Sequence, residues 1–396
     1  MMGDRFTFIH CADLHLGSRF KGITDDDPEL GRRMRSSPME SFTRIVDLAI
    51  EREVDFMIVA GDLYDESNTL PSIRLGLSEQ FGRLRRPVFV ARGNHDSVTS
   101  WTDAIPYPEN VYEFPTLPTS IGMNVRGQKV EVVGASFQGR YDGRNLPSML
   151  KGRKGYFTIA CIHCDVDPPN GSSEYSPCRR EDLCGRDVEY WALGHIHKRA
   201  VIMEEPMVVY PGNIQGRSIK ETGEKGAYIV TVEDGRVASI EFVATQSILW
   251  EEADVDITGM SLQGLLSVLE ETVQRGSVVR LNITGSGELD RPLRSEKEDI
   301  IRMIQSRCGC TVYDVIADTT SVLDPGSIIG MKDMRGKVVE AGMQLSRDRA
   351  SLIDAICENG VASENRAFFE SLGDEELASI VDSAVRRTVS SMEVGR

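Results

Sequence analysis

Residues 8–17 read Phe-Ile-His-Cys-Ala-Asp-Leu-His-Leu-Gly, and this stretch decides the fold. It closes an apolar run, Phe6–Cys11, that is short enough and apolar enough to be a buried strand. The run ends directly in Asp13-Leu14-His15, a carboxylate and an imidazole released at the strand's carboxyl end. In α/β sheets, sites form outside the carboxyl ends of strands.

The same arrangement recurs four times. Gly61-Asp62-Leu63-Tyr64-Asp65 follows the apolar run Val54–Ala60, and Gly93-Asn94-His95-Asp96 follows Val88–Ala91. His163 follows Phe157–Ile162, and Gly194-His195-Ile196-His197 follows Trp191–Leu193. The six histidines of the chain (His10 is the sixth) all lie in its first half. One D-x-H or one G-N-H-D is weak evidence, because a lone buried histidine more often satisfies a backbone hydrogen bond. Five such clusters in order, each at a strand end, predict a dinuclear metal site. Imidazole and carboxylate together suit Mn²⁺, Fe²⁺ or Zn²⁺. Two cations about 3.5–4 Å apart can clamp a phosphodiester and lower the pKa of a bridging water that then attacks in line. His10 lies within its strand and reads as a packing residue.

Working outward, Val130–Gly134, Met207–Tyr210, Ala227–Val232 and Val237–Val243 continue the strand series. A helix is predicted from Ser37, with Ser37 as N-cap, Pro38 at the first helical position and Glu40 completing a capping box. Ile23–Arg35, with Asp25–Asp27, reads as an exposed loop. Trp250–Asp256 reads as an acidic connector. Beyond it, Leu262–Gln274 and Glu296–Arg307 read as helices, the second with a Ser295/Glu298 capping box. Val278–Ile283 and Val312–Ile316 read as strands, Asp324-Pro325-Gly326 as a turn, and two or three short helices follow, around Lys332–Leu345, Ala350–Glu358 and Asp374–Arg387. The expected class is α/β: a two-sheet domain over residues 1–245, a small α/β domain over 255–325 and a helical segment over 330–396.

The quoted clusters, with YPGNIQGRSIKETGEKGAYIV at 210–230, resemble the calcineurin-like metallophosphoesterases. Within them the sequence is similar to the SbcD-type DNA repair nucleases and their YhaO-like branch. The resemblance is strong over about residues 5–245. It implies a two-sheet sandwich flanked by helices, with one metal on Asp13, His15, Asp62 and His197. A second would lie on Asp62, Asn94, His163 and His195. It implies manganese, with Mg²⁺, Fe²⁺ or Zn²⁺ as alternatives. His95 resembles the family's proton donor to the leaving oxygen, with Asp96 placed to orient it. The role of Asp65 stays open. The small α/β domain corresponds to a cap that positions DNA, and the helical tail to a segment that docks on an SMC-like ATPase. Arg217 and Lys220 are the first choices for phosphate contact, with Arg19, Lys21, Arg140, Arg144, Lys151, Arg153, Lys154 and Lys198 behind them.

Composition bounds these readings. The chain has 396 residues and a net charge of -16, so no broad basic face is expected, though a local basic groove is compatible with that total. Residues 251–396 alone carry 26 acidic and 16 basic side chains. No apolar run approaches the roughly 18 residues of a membrane span, and Met1–Phe6 does not read as a signal peptide, so a cytoplasmic protein is expected. The eight cysteines, including Cys161/Cys164 and Cys308/Cys310, suit neither a zinc ribbon nor a disulfide scaffold and read as reduced thiols. The expected function is a metal-dependent DNA nuclease, with a phosphodiesterase for small nucleotides as the alternative. Whether the chain forms a homodimer is left open.

Overall fold

The computed structural model describes residues 5–18, 28–65, 70–98, 105–322, 328–358 and 365–393. Arg19, Lys21, Asp25–Asp27 and the turn expected at Asp324-Pro325-Gly326 lie outside the described residues. The chain divides into two compact units, Met1–Trp250 and Glu251–Arg396.

The first unit is built on two six-stranded sheets. One runs in the spatial order Arg236–Ala244, Gly226–Glu233, Arg5–Cys11, Phe56–Ala60, Val88–Ala91 and Val111–Glu113. The other runs Ala200–Glu204, Met207–Tyr210, Tyr190–Gly194, Phe157–His163, Gln128–Ala135 and Thr119–Val125. The strand Arg5–Cys11 pairs parallel with Phe56–Ala60, which pairs parallel with Val88–Ala91. Phe157–His163 pairs parallel with Tyr190–Gly194. All five strands that end in the expected ligands thus belong to parallel ladders.

Strand alternation sorts the side chains. Phe6, Phe8, Phe56, Phe89, Phe157 and Tyr190 fill one core with residues of both sheets. Ile9, Cys11, Met57, Val59 and Val90 point the other way, into a core shared with Phe42, Ile45, Leu77 and Phe81 of the covering helices. The first of those helices is longer than expected. It runs Pro28–Glu51, with Pro38 inside it, so Ile23–Arg35 is not one loop and Ser37 is not its N-cap. Pro38 cannot donate to the Met34 carbonyl four residues back. The Ser37 hydroxyl does so instead, at 2.8 Å. Leu30 and Met34 extend the buried face by one more turn at spacing four, a signal masked by the charges around them.

The second unit begins with a further revision. Trp250–Asp256 is not a connector but a strand at the edge of a three-stranded sheet, beside Val278–Ser286 and Thr311–Thr320. Its acidic residues alternate with buried Val255, as an edge strand with one wet face requires. Helices Leu262–Thr272 and Lys297–Cys308 cover the sheet through Leu265, Leu269, Ile300 and Ile304. Ser295 caps nothing: it ends the helix Asp290–Ser295 and donates to the Arg291 carbonyl. Helices Met334–Leu345, Arg349–Cys357, Arg366–Ser371 and Asp374–Glu393 follow. The last is tied to the sheet's final strand by an Arg387–Asp318 ion pair at 2.7 Å. All eight cysteines are free thiols. No helix among the described residues is long and apolar enough to cross a membrane.

Candidate metal centre

The backbone beyond the strand ends is contorted. Asp13, His15, Asp62 and His195 have φ of 52, 44, 51 and 105°, in a region costly for a side chain with Cβ. The loops hold one another there. Asp13 N–H donates to the Gly61 carbonyl at 3.0 Å, His15 N–H to Asp62 at 2.9 Å and Leu16 N–H to Leu63 at 3.0 Å. The ladder between the first two parallel strands thus continues into their loops. The third loop must come close as well. A Cβ on Gly93 would sit 2.2 Å from Asp62 Oδ1, so only glycine admits the Asp62 carboxylate.

Asp13, His15, Asp62 and His163 are buried, Asn94 nearly so, and the His95 and His197 side chains are partly exposed. Three imidazoles follow one plan. His15 Nδ1 lies 3.1 Å from Asp65 Oδ1, His163 Nδ1 3.0 Å from the Ala60 carbonyl oxygen, and His197 Nδ1 2.8 Å from Glu221 Oε1. A carbonyl or an ionised carboxylate only accepts, so each Nδ1 carries the proton and each Nε2 presents a lone pair. These Nε2 atoms converge. Those of His15 and His197 are 3.0 Å apart, and that of His163 is 3.0 Å from Asn94 Oδ1. Asp62 Oδ2 stands between the halves, 3.8 Å from His15 Nε2 and 3.5 Å from His163 Nε2. Asp13 Oδ1 is 3.9 Å from His197 Nε2.

Two lone pairs 3.0 Å apart repel unless an electrophile lies between them. Two nitrogens at right angles on one ion, each at about 2.1 Å, are themselves about 3 Å apart. Oxygen and imidazole donors also match the borderline divalent cations. The donor set fits such ions. Among the described residues, three clusters have ligand atoms mutually within 4.8 Å: Asp13/His15/His197, Asp13/Asp62/His163 and His15/Asp62/His95.

The electrostatics agree with that use. Burial alone would raise the Asp62 carboxyl, but His163, His15 and His95 bring it down to about 2. Burial holds His15 below its ordinary value despite Asp65, and burial with neighbouring His163 takes His195 down to about 3. Burial also pulls His197 down, but the hydrogen bond to Glu221 and the charge of Asp13 outweigh it and raise it. For Asp62, His15 and His195 the shifts favour the ionised carboxylate and the neutral imidazoles that bind metal.

The remaining expected residues fall differently. The His195 ring packs on His163 and on Tyr175, with centroids 5.2 and 4.9 Å away, and the His195 backbone N–H donates to Asp13. The His95 N–H donates to Asp62 Oδ1 at 2.9 Å, and its Nδ1 donates to the Asp65 carbonyl oxygen at 2.7 Å. Asp96 does not orient His95. Its buried carboxylate accepts the N–H groups of Leu63 and Gly93 at 2.9 and 2.8 Å, bracing the second loop against the third. Burial and the nearby Asp62 raise it to about 7. Arg217 Nη1 reaches Asp65 at 3.0 Å and Nη2 reaches Glu221 at 3.5 Å, so it bridges the carboxylates behind the imidazoles. Lys220 is exposed, and no described contact joins its side chain to the centre. Arg144 is engaged by Asp142. His10 packs between the sheets, on the Tyr190 hydroxyl and the Leu193 carbonyl.

Glu221 was missed by sequence reasoning. Oε2 accepts Asn213 Nδ2 and the Arg217 N–H, both at 2.8 Å, while Oε1 holds His197. Its signal was its place in the 210–230 stretch, four residues after Arg217.

Comparison with known proteins gives a consistent picture. The family profile of calcineurin-like phosphoesterases matches residues 6–199. The chain is 38% identical over 277 residues to the uncharacterized metallophosphoesterase YhaO of Bacillus subtilis, covering 68% of each protein. It is 24% identical to the DNA double-strand break repair protein Mre11 of Methanosarcina acetivorans, over 86% of this chain and 57% of that one. With Mre11 of Sulfolobus acidocaldarius it shares 23%, over 73% and 76%.

Proposed function

The chain belongs to the calcineurin-like phosphoesterases, and we propose that within them it is a phosphodiesterase that cuts DNA, a nuclease of DNA repair. One observation carries the reading: the Nε2 atoms of His15 and His163, each fixed through Nδ1 by its own acceptor, flank Asp62 Oδ2 at 3.8 and 3.5 Å, and the His197 Nε2, fixed by Glu221, lies 3.0 Å from that of His15. In this reading Asp13, His15, Asp62 and His197 hold one divalent cation. Asp62, Asn94, His163 and His195 hold a second, with Asp62 shared. Manganese is the first expectation, with Mg²⁺, Fe²⁺ or Zn²⁺ as alternatives. When bound, such cations neutralise phosphoryl charge and acidify water.

The protein's own part is positioning and proton transfer. The His95 Nδ1 proton is committed to the Asp65 carbonyl. The proton His95 can give away is therefore on Nε2, and in the cationic ring it goes to the leaving oxygen. Asp65 fixes His15 and His95 together, and Glu221 with Arg217 fixes His197.

Similarity to proteins named for DNA double-strand break repair supports DNA as the substrate. The acidic charge favours the second reading, a small nucleotide substrate, or help from a partner. With DNA as the substrate, residues 255–325 would serve as a DNA-positioning cap and residues 330–396 as a docking segment for an SMC-like ATPase or a second copy. The test is degradation of end-labelled linear double-stranded DNA with Mn²⁺, against an EDTA control and His197→Ala. Loss of labelled DNA that EDTA and the variant both abolish is expected. Intact DNA under conditions where bis-p-nitrophenyl phosphate is hydrolysed would overturn the DNA assignment and keep the phosphodiesterase.

A further inference from the structure

A line of rings leaves the centre on its His195 side. His163, His195, Tyr175 and Tyr141 follow one another with centroids 5.2, 4.9 and 6.0 Å apart. These spacings are those of aromatic contact. His163 is buried, Tyr175 is half-buried and Tyr141 is 59% exposed. The line therefore runs from the metal-ligating pocket to open solvent.

An exposed tyrosine at a loop tip ordinarily swings freely, but the backbone that carries this one is clamped. The Asp142 N–H donates to the Glu174 carbonyl at 2.9 Å, and the Ser176 N–H to the Asp142 carbonyl at 2.7 Å. The Asp142 carboxylate is buried and accepts from the Gln138 N–H and Arg144 Nε. Tyr141 and Tyr175 are thus held on two tied segments beside a phosphoester site. Covering Tyr175 does not account for Tyr141, which leaves more than half of its own surface to water.

We propose that Tyr141 and Tyr175 form a stacking shelf for the nucleobase beside the scissile phosphate, so that the site prefers nucleoside phosphodiesters to simple ones. This rests on the phosphodiesterase reading above. Every base has a π-face, so such a shelf selects nucleotides without selecting sequence. It serves a DNA strand and a small nucleotide alike.

The experiment compares two chromogenic diesters, thymidine 5′-(4-nitrophenyl phosphate) and methyl 4-nitrophenyl phosphate, on the Mn²⁺-loaded full chain. Loss of base stacking by alanine substitution is expected to lower the nucleoside-to-methyl ratio of kcat/KM by roughly 5- to 150-fold in Tyr141→Ala, mainly through KM. Tyr141→Phe keeps the ring and should restore the ratio. A second readout needs no turnover: quenching of a 2-aminopurine dinucleotide in EDTA, expected for the wild type and Tyr141→Phe and weakened in Tyr141→Ala. Equal ratios in all three proteins, with both diesters hydrolysed, overturn the shelf and leave the phosphodiesterase standing. Hydrolysis of neither diester by the wild type overturns both.

Discussion

Replacing Glu221 by glutamine changes one atom, and the structure says why that is costly. The carboxylate spends both oxygens on donors: Oε1 on His197 Nδ1 at 2.8 Å, Oε2 on Asn213 Nδ2 and the Arg217 N–H, each at 2.8 Å. A glutamine has one acceptor oxygen and one NH₂. With the oxygen toward His197, the NH₂ faces two donors; with the oxygen toward Asn213, it faces the His197 Nδ1 proton. Either orientation leaves a part-buried donor without an acceptor, worth about 1 kcal/mol, the low end of the range for a buried one. The His197 Nδ1 proton also loses the anion that makes Nε2 a better ligand. Loss of such an outer partner lowers metal affinity about 10- to 100-fold. Calorimetric titration of metal-free Glu221→Gln with Mn²⁺ should show a weakening in that range. Glu224→Gln is the control: Glu224 is exposed and, among the described residues, pairs with Arg199, 3.4 Å away. Unchanged affinity in Glu221→Gln would refute the argument that the carboxylate tunes His197.

Four further outcomes follow from the same geometry. His95→Gln should lower kcat about 10²- to 10⁴-fold for an alkoxide leaving group, as in DNA, and far less for p-nitrophenolate, which needs no proton; equal losses on both substrates would remove His95 as the donor. Gly93→Ala should weaken Mn²⁺ binding and lower the melting temperature together, because its Cβ must displace the Asp62 carboxylate; a variant that melts and binds like the wild type would show that the loops have slack. Asp96→Asn sets an NH₂ against the Leu63 or Gly93 N–H, so it should destabilise the fold by about 1–3 kcal/mol in urea unfolding; an unchanged midpoint would mean the bracing is unimportant. His10, held at about 3 by burial, stays neutral in the folded metal-free protein, while the unfolded chain binds a proton below about 6.5. Its share of stability is thus present above that value and lost as pH falls toward 3; His10→Phe should flatten this part of the urea midpoint's pH profile, and a profile as steep as the wild type's would contradict it.

The cluster of candidate ligands was legible because imidazole and carboxylate at the ends of apolar runs have few structural uses, and because parallel strands bring those ends together. Asp13, His15, Asp62, Asn94 and His163 meet for that reason alone. What stayed hidden is what distance in sequence conceals. Glu221 lies 24 positions along the chain from His197, and its one local signal, a place four residues after Arg217 in the 210–230 stretch, does not say which histidine it meets. Asp96 was assigned to the histidine beside it in sequence, yet neighbouring residues on a tight loop point apart, and Asp65 from another loop took that place. The helix start was misplaced because Pro38 reads as a first-turn residue. A serine hydroxyl that satisfies the orphaned carbonyl makes it an interior one. At Trp250–Asp256, high acidity hid an alternation that one buried valine betrays.

The most direct test of the central claim is the number of Mn²⁺ ions bound per metal-free chain, measured by titration while hydrolysis of bis-p-nitrophenyl phosphate is followed. The account predicts two ions and activity that tracks their binding, with Asp62→Ala losing both ions because its carboxylate serves both halves. A wild-type chain that binds one ion or none at full activity, or an Asp62→Ala variant that keeps both, would contradict it.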